Sequence, residues 1–166
     1  MLIRTIARED AREFLALRDK LDTETPFLLL EPGERAMTED QQKDKIDYVL
    51  SKPNSTILVA EVLSQLVGYI SLTGGPYQRN KHVGYIVISV LKEHSGRGVG
   101  TKLFVELESW AHGVGIHRLE LCTMTHNAPA IALYKKMGYR IEGEKRDSLR
   151  VDGDYVHEYC LFKLLT

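Results

Sequence analysis

The sequence predicts a mixed α/β (α+β) fold, a central sheet with helices laid on its faces, and three observations predict it. Apolar residues repeat with a period of two in some runs and of three to four in others, in the order β-α-α-β-β-β-α-β-α-β-β. Two capping signatures, Asp10-Ala11-Arg12-Glu13 and Thr38-Glu39-Asp40-Gln41, each open a helical run. Asp152-Gly153 separates the last two strand runs and supplies the residues a two-residue hairpin turn requires. With 166 residues, 43% hydrophobic and 27% charged, the chain can bury a core, and one domain over residues 1–166 is expected.

Leu2 to Ile6 alternates and reads as a strand. Phe14, Leu15, Leu17 and Leu21 then form the apolar set of the first helix. Asp22 to Met37 breaks the pattern with Pro26, Pro32 and Gly33, yet carries Phe27-Leu28-Leu29-Leu30, more apolar surface than a solvated loop needs. The second helix runs through Ile46, Val49 and Leu50 and ends at Pro53-Asn54. Thr56–Val62 and Leu66–Thr73 are a hairpin turned at Ser64-Gln65, followed by the polar loop Gly74–Asn80 and a strand from His82 to Val90. Val99, Leu103, Leu107, Trp110 and Ala111 share a helical stripe that Gly113 and Gly115 stop. His117–Thr123 is a further strand. Asn127-Ala128-Pro129 starts the last helix, with Ile131, Tyr134 and Met137 on its inner face and Gly138 at its close. Ile141–Val151 and Tyr155–Leu164 form the final hairpin.

A formal net charge of -1 without blocks of like charge argues against nucleic acid as a main partner. No apolar run reaches the length of a membrane span, and Met1–Ile6 reads as a strand rather than a leader, so a cytoplasmic location without membrane attachment is expected. Cys122 and Cys160 sit in apolar strand runs and are expected as core thiols. The six histidines show no ligand spacing, and no metal is expected.

The chemistry concentrates between the strand ending at Val90 and the helix beginning near Val99, in Ser95-Gly96-Arg97-Gly98-Val99-Gly100-Thr101-Lys102. This order brings bare backbone N–H groups, a helix N-terminus and two cations to one point, a combination that binds phosphate. A Walker A loop is excluded, because Thr101 stands five positions after Gly96 and Leu103 follows Lys102. A dinucleotide fingerprint is excluded because its third glycine would fall on Thr101 or Leu103. A plain connecting turn is the bland alternative. Three alternating glycines flanked by Arg97 and Lys102 favour an anion site.

Two motifs and the element order together resemble the GNAT superfamily of acetyl-CoA-dependent N-acetyltransferases. Ser95-Gly96-Arg97-Gly98-Val99-Gly100 is similar to that family's Gln/Arg-x-x-Gly-x-Gly/Ala loop, with Ser95 where a longer polar side chain is usual. Asn127-Ala128-Pro129-Ala130-Ile131-Ala132-Leu133-Tyr134-Lys135-Lys136-Met137-Gly138-Tyr139 is similar to Asn-x-x-Ala-x-x-Leu-Tyr-x-Lys-x-Gly-Phe/Tyr. The tail, with Glu142-Gly143-Glu144-Lys145-Arg146 and Val151-Asp152-Gly153-Asp154-Tyr155, looks like the branch of ribosomal-protein, spermidine and amino-acid N-acetyltransferases. The resemblance spans essentially the whole chain. It implies a mostly antiparallel sheet of about seven strands with helices on both faces, and acetyl-CoA as co-substrate with no metal.

The resemblance further implies that Ser95, Gly96, Arg97, Gly98, Gly100, Thr101 and Lys102 surround the cofactor's pyrophosphate, mainly through N–H groups. Ile88 and Val90 would lie along the pantetheine arm on a strand splayed from its neighbour, with Asn127 and Lys136 also at the cofactor. Tyr134 is the implied general acid, against the alternative of a core aromatic. No residue is assigned as general base: Tyr85 stands where relatives often carry a Glu, and Glu93, Glu158 and a water chain are open choices. The acceptor, a small amine, an amino acid or a protein N-terminus, is expected among Asp22–Met37, Gly74–Asn80 and the Asp152 hairpin. Asp22, Glu24, Glu31 and Glu34 are the carboxylates there. Phe27–Leu30 offers either an apolar subsite or a homodimer contact. A silent CoA-binding module and a nucleotide-binding protein are the competing classes.

Overall fold

A computed structural model describes residues Met1–Thr166. Seven strands form one sheet in the order β1-β2-β3-β4-β5-β7-β6. They are β1 Leu2–Thr5, β2 Thr56–Val62, β3 Gln65–Gly74, β4 Val83–Val90, β5 Arg118–Met124, β6 Arg140–Val151 and β7 Asp154–Leu164. The helices are α1 Ala11–Glu24, α2 Glu39–Leu50, α3 Val99–Gly113 and α4 Ala128–Lys136. Every neighbouring pair is antiparallel except β4 with β5.

Alternation along β3 sorts the helices onto the two faces. Tyr69 points to α1, where its ring meets Phe14 edge-on at a centroid distance of 5.2 Å. Ile70 and Leu72 point the other way, with their register partners Ile88 and Ile86, toward α3. The α3 stripe of Leu103, Phe104, Leu107 and Ala111 is wholly buried, so the core is a continuous layer on that face and a second one under α1 and α2.

The second capping signature forms as written: Thr38 Oγ1 accepts from the Gln41 N–H at 3.2 Å, and Gln41 Oε1 accepts from the Thr38 N–H at 2.9 Å. The first does not. Asp10 accepts from the Ala7 N–H and holds Arg4 in a two-pronged ion pair at 2.7 and 2.9 Å, capping a short 3-10 turn, Arg8–Asp10, instead. Glu13 is thereby free to accept the Leu66 N–H at 2.7 Å and ties α1 to β3. A long-range partner outcompeted the local one. The β2–β3 turn falls on Leu63 and Ser64, both left-handed at φ 50° and 62°, rather than on Ser64-Gln65. Asp152 and Gly153 are left-handed as a two-residue hairpin requires. β6 carries two irregularities, between Ile141 and Gly143 and between Lys145 and Leu149.

The segment between α1 and α2 is anchored rather than loose. Asp22, 3% exposed, receives Arg35 Nε at 2.8 Å and Nη2 at 3.0 Å, and the Arg35 side chain is nearly as buried. Replacing Arg35 with Met strands a buried carboxylate and should lower stability by roughly 3–5 kcal/mol. Urea unfolding of Arg35→Met beside the double variant Asp22→Asn/Arg35→Met checks this: the double variant should recover most of the loss, and equal losses would show that the pair is not coupled.

Candidate active site

β4 and β5 pair over only three positions, Val83 with Arg118, Gly84 with Leu119 and Tyr85 with Glu120. Beyond them the strands part, because β5 continues on β7 while β4 stays on β3. The direction of the stranded groups follows from the ladder. Leu91 donates to Val67 and Gly75 to Val83 across β3–β4, so odd-numbered residues of β4 bond to β3. The even-numbered ones turn toward β5; Ile86 N–H still serves the last rung at Glu120, and beyond it the Ile86 C=O and the N–H and C=O groups of Ile88 and Val90 face the gap.

A cavity of about 750 Å³ fills that gap. One end is the glycine loop. From Gly96 to Thr101 no N–H finds an acceptor within the chain; the first helical bond is Lys102 N–H to Gly98 at 3.0 Å. Gly96 and Gly98 are left-handed at φ 73° and 79°, conformations that only glycine takes without strain. Gly100 serves another purpose: a Cβ there would stand 2.8 Å from Leu133 Cδ2, so its bareness lets α3 approach α4. Ser95 donates its hydroxyl to the Leu91 carbonyl at 3.2 Å, which occupies the side chain in closing the turn.

The opposite wall is α4. Asn127 precedes it but makes no side-chain cap; its Nδ2 donates to Thr123 Oγ1 at 3.2 Å, pinning α4 to β5. Tyr134, 7% exposed, packs edge-on against Phe104 at 5.8 Å and near Tyr139 at 6.4 Å. Its hydroxyl has no partner within the chain and faces the cavity. Burial, with Tyr85 as the smaller contributor, pushes the Tyr134 phenol up to about 12. Tyr134 thus combines both readings of the sequence, a core ring with its hydroxyl at the rim.

Of the sequence-derived cofactor residues, Ile88, Val90, Ser95, Gly96, Gly98, Gly100, Thr101, Asn127, Tyr134 and Lys136 line the cavity, whereas Arg97 and Lys102 are exposed outside it. His94 lines it and is half-buried. Glu93 does not; it pairs with Lys20 at 2.9 Å. Tyr85 and Glu158 do, together with Cys122, whose Sγ lies 3.3 Å from Cys160 Sγ, the two thiols unbonded and half-buried on facing strands.

Thr25, Phe27, Leu28 and Leu29 cross over the gap, and Phe27 packs on His126 at 5.1 Å. A second cavity of about 460 Å³ shares Thr25, Leu28, Leu29 and Leu149 and reaches Glu31 and Asp152. Three of the four carboxylates nominated in this segment already have partners: Asp22 holds Arg35, Glu24 accepts the Lys92 N–H at 3.0 Å, and Glu34 accepts the Glu31 N–H at 2.7 Å. The Gly74–Asn80 loop lines neither cavity. No cluster of three or more His, Cys, Asp or Glu is present, and no helix is long and apolar enough to cross a membrane.

Residues 14–139 match the acetyltransferase (GNAT) family. The chain belongs to that family. An L-amino acid N-acetyltransferase, AaaT of Escherichia coli, is 32% identical over 119 residues, 71% of this chain and 74% of that protein. A GNAT-family acetyltransferase structure from Streptococcus pneumoniae superposes with a TM-score of 0.95 at 28% identity, covering 99% of each chain. The yncA structure of Salmonella typhimurium, solved with acetyl-CoA, shares the fold with a TM-score of 0.89 at 18% identity, over 100% of this chain and 94% of that one. GNAT members are acyltransferases, and acetyl transfer to an amine is their general reaction.

The buried phenol has a consequence for stability. Folding holds Tyr134 neutral while the unfolded chain ionises near pH 10. Its contribution is therefore complete below about pH 10 and is lost as pH rises toward 12, with Tyr69, also raised mainly by burial, losing in the same direction. Tyr134→Phe should flatten the fall in urea midpoint between pH 9 and 11.5 by an amount of order 1–2 kcal/mol. An unchanged slope would show that the hydroxyl is solvated.

Proposed function

We propose that the protein transfers the acetyl group of acetyl-CoA to a primary amine, of a small amine, an amino acid or a protein N-terminus, by direct attack in a ternary complex. The observation that carries this reading is the continuity of one cavity from six free N–H groups at the glycine loop, along the unpaired edge of β4, to the Tyr134 hydroxyl. A row of free N–H groups at a helix N-terminus suits a pyrophosphate. The fit is made by backbone: Gly96, Gly98, Gly100 and Thr101 present the donors, and Lys136 adds a cation at the α4 end. Ser95 contributes its main chain only, and Arg97 and Lys102 act from outside the wall as screening charge.

The unpaired edge of β4 matches an amide-bearing arm, which can bond to the Ile86 carbonyl and to Ile88 and Val90 as a missing strand would. When the acceptor nitrogen attacks the thioester carbon, charge gathers on its oxygen, and a β4 N–H left unpaired is placed to receive it. Losing such a donor costs about 3 kcal/mol in acyl transfer. The C–S bond then breaks and the sulfur takes the electron pair. Tyr134, kept neutral by burial, is a proton donor toward that sulfur and not a base. The attacking nitrogen gives up its proton to water or to a group at the far end of the cavity.

Coenzyme A at 100 times its dissociation constant should raise stability by about 2.7 kcal/mol. ATP at the same concentration should leave the melting temperature unmoved; a shift with ATP and none with CoA would point to a nucleotide-binding protein. Tyr134→Phe should lower kcat for thiol release from acetyl-CoA by roughly 100-fold while leaving the CoA-induced shift intact. Full activity of Tyr134→Phe at every pH would remove the general-acid assignment. A CoA-induced shift with no thiol release from any amine would instead identify a silent CoA-binding module.

A further inference from the structure

The cavity end away from the glycine loop carries one cation and one anion, and no ion pair closes between them. Lys145 on β6 and Glu158 on β7 are direct register partners, so their side chains leave the sheet on the same face. Both line the cavity, and neither forms an ion pair with any residue. Elsewhere in this sheet opposed charges close on each other: Arg118 reaches Glu120 at 3.1 Å and also holds Glu142. Lys145 is exposed and Glu158 half-buried, so both stand at the cavity's open rim; the Cys122 sulfur, and after it that of Cys160, holds the Lys145 ammonium above its ordinary range. Leu28, Leu29 and Leu149 form the apolar wall shared with the second cavity.

An open pair of opposite charges beside an apolar wall is complementary to a zwitterion with an apolar side chain. A polyamine would meet one carboxylate and one repelling cation there. A peptide N-terminus has an amide where Lys145 offers a charge. Resting on the acetyltransferase reading above, we propose that Lys145 and Glu158 select a free α-amino acid with an apolar side chain as acceptor. Lys145 binds its carboxylate and Glu158 its ammonium group, and the side chain lies along Leu28, Leu29 and Leu149.

The test compares leucine, leucinamide and isopentylamine as acceptors for the wild-type protein, Lys145→Met, Lys145→Arg and Glu158→Gln. A charge-assisted contact predicts that wild type prefers leucine over isopentylamine by roughly 30-fold in kcat/KM. Lys145→Met should abolish that preference by raising KM for leucine while leaving isopentylamine within about twofold, and Lys145→Arg should restore part of it. Glu158→Gln should weaken all three acceptors together. Calorimetric titration of leucine into the CoA-bound protein reads the same contact without turnover, and binding should be lost in Lys145→Met. Equal use of leucinamide and leucine, or equal slowing of leucine and isopentylamine by Lys145→Met, would overturn the assignment and leave the acetyltransferase reading intact. Thiol release with none of the amines would sink that reading instead, and leucine binding that Lys145→Met does not alter would sink the assignment by itself.

Discussion

The parting of β4 from β5 after Tyr85 and Glu120 is the constraint on which the rest of the site depends. A sheet normally hides its backbone donors and acceptors in the ladder, and a strand edge left open inside a protein is costly unless something else meets it. Here the open edge belongs to the middle of the sheet. Antiparallel partners on both outer sides hold each half, β3 on β4 and β7 on β5, so the split persists without either strand losing its anchor. The cavity is the space between two well-held half-sheets.

Two further arrangements keep the split usable. α4 is pinned to β5 by Asn127 and Thr123, while α3 rises directly from the loop after β4. The two helices meet through Gly100 against Leu133 and through the ring cluster of Phe104, Tyr134 and Tyr139. One helix N-terminus and one phenol thus arrive at the same cavity from opposite half-sheets. On the other face, the segment after α1 is held by Asp22–Arg35 and by Glu24 on the Lys92 N–H, and it roofs the gap with Phe27 and Leu28. Asp22 and Glu24, two of the carboxylates the sequence offers for substrate, are spent on this anchoring.

Much of this was legible in the sequence. Period and capping located all four helices and seven strands, and Asp152-Gly153 turned as its composition requires. The capping assignments that failed have a common cause. Asp10 and Glu13 had the spacing of a capping box but found Arg4 and the Leu66 N–H, partners distant in sequence or outside the motif. Asn127 had the place of a cap but reached Thr123. Each polar side chain took the partner that the packed fold brought nearest, which a local motif does not contain.

The final hairpin separates the two levels of information most clearly. Counting back from its turn would set Asp147 against Glu158 and Lys145 against Cys160. Two extra residues bulge out of β6 between Lys145 and Leu149, with Asp147 left-handed at φ 50° and its N–H bonded to His157, and Lys145 meets Glu158 instead. The sequence by itself determined the elements, the Asp152-Gly153 turn, Gly138 at the close of α4 and the phenol on its inner face, because these depend on residues a few places apart. Only the tertiary structure decided where β4 leaves β5, which carboxylates stay unpaired and which charges stand side by side at the cavity's far end. Those outcomes are set by competition among partners distant in the chain, and that competition is resolved only when the strands have their register.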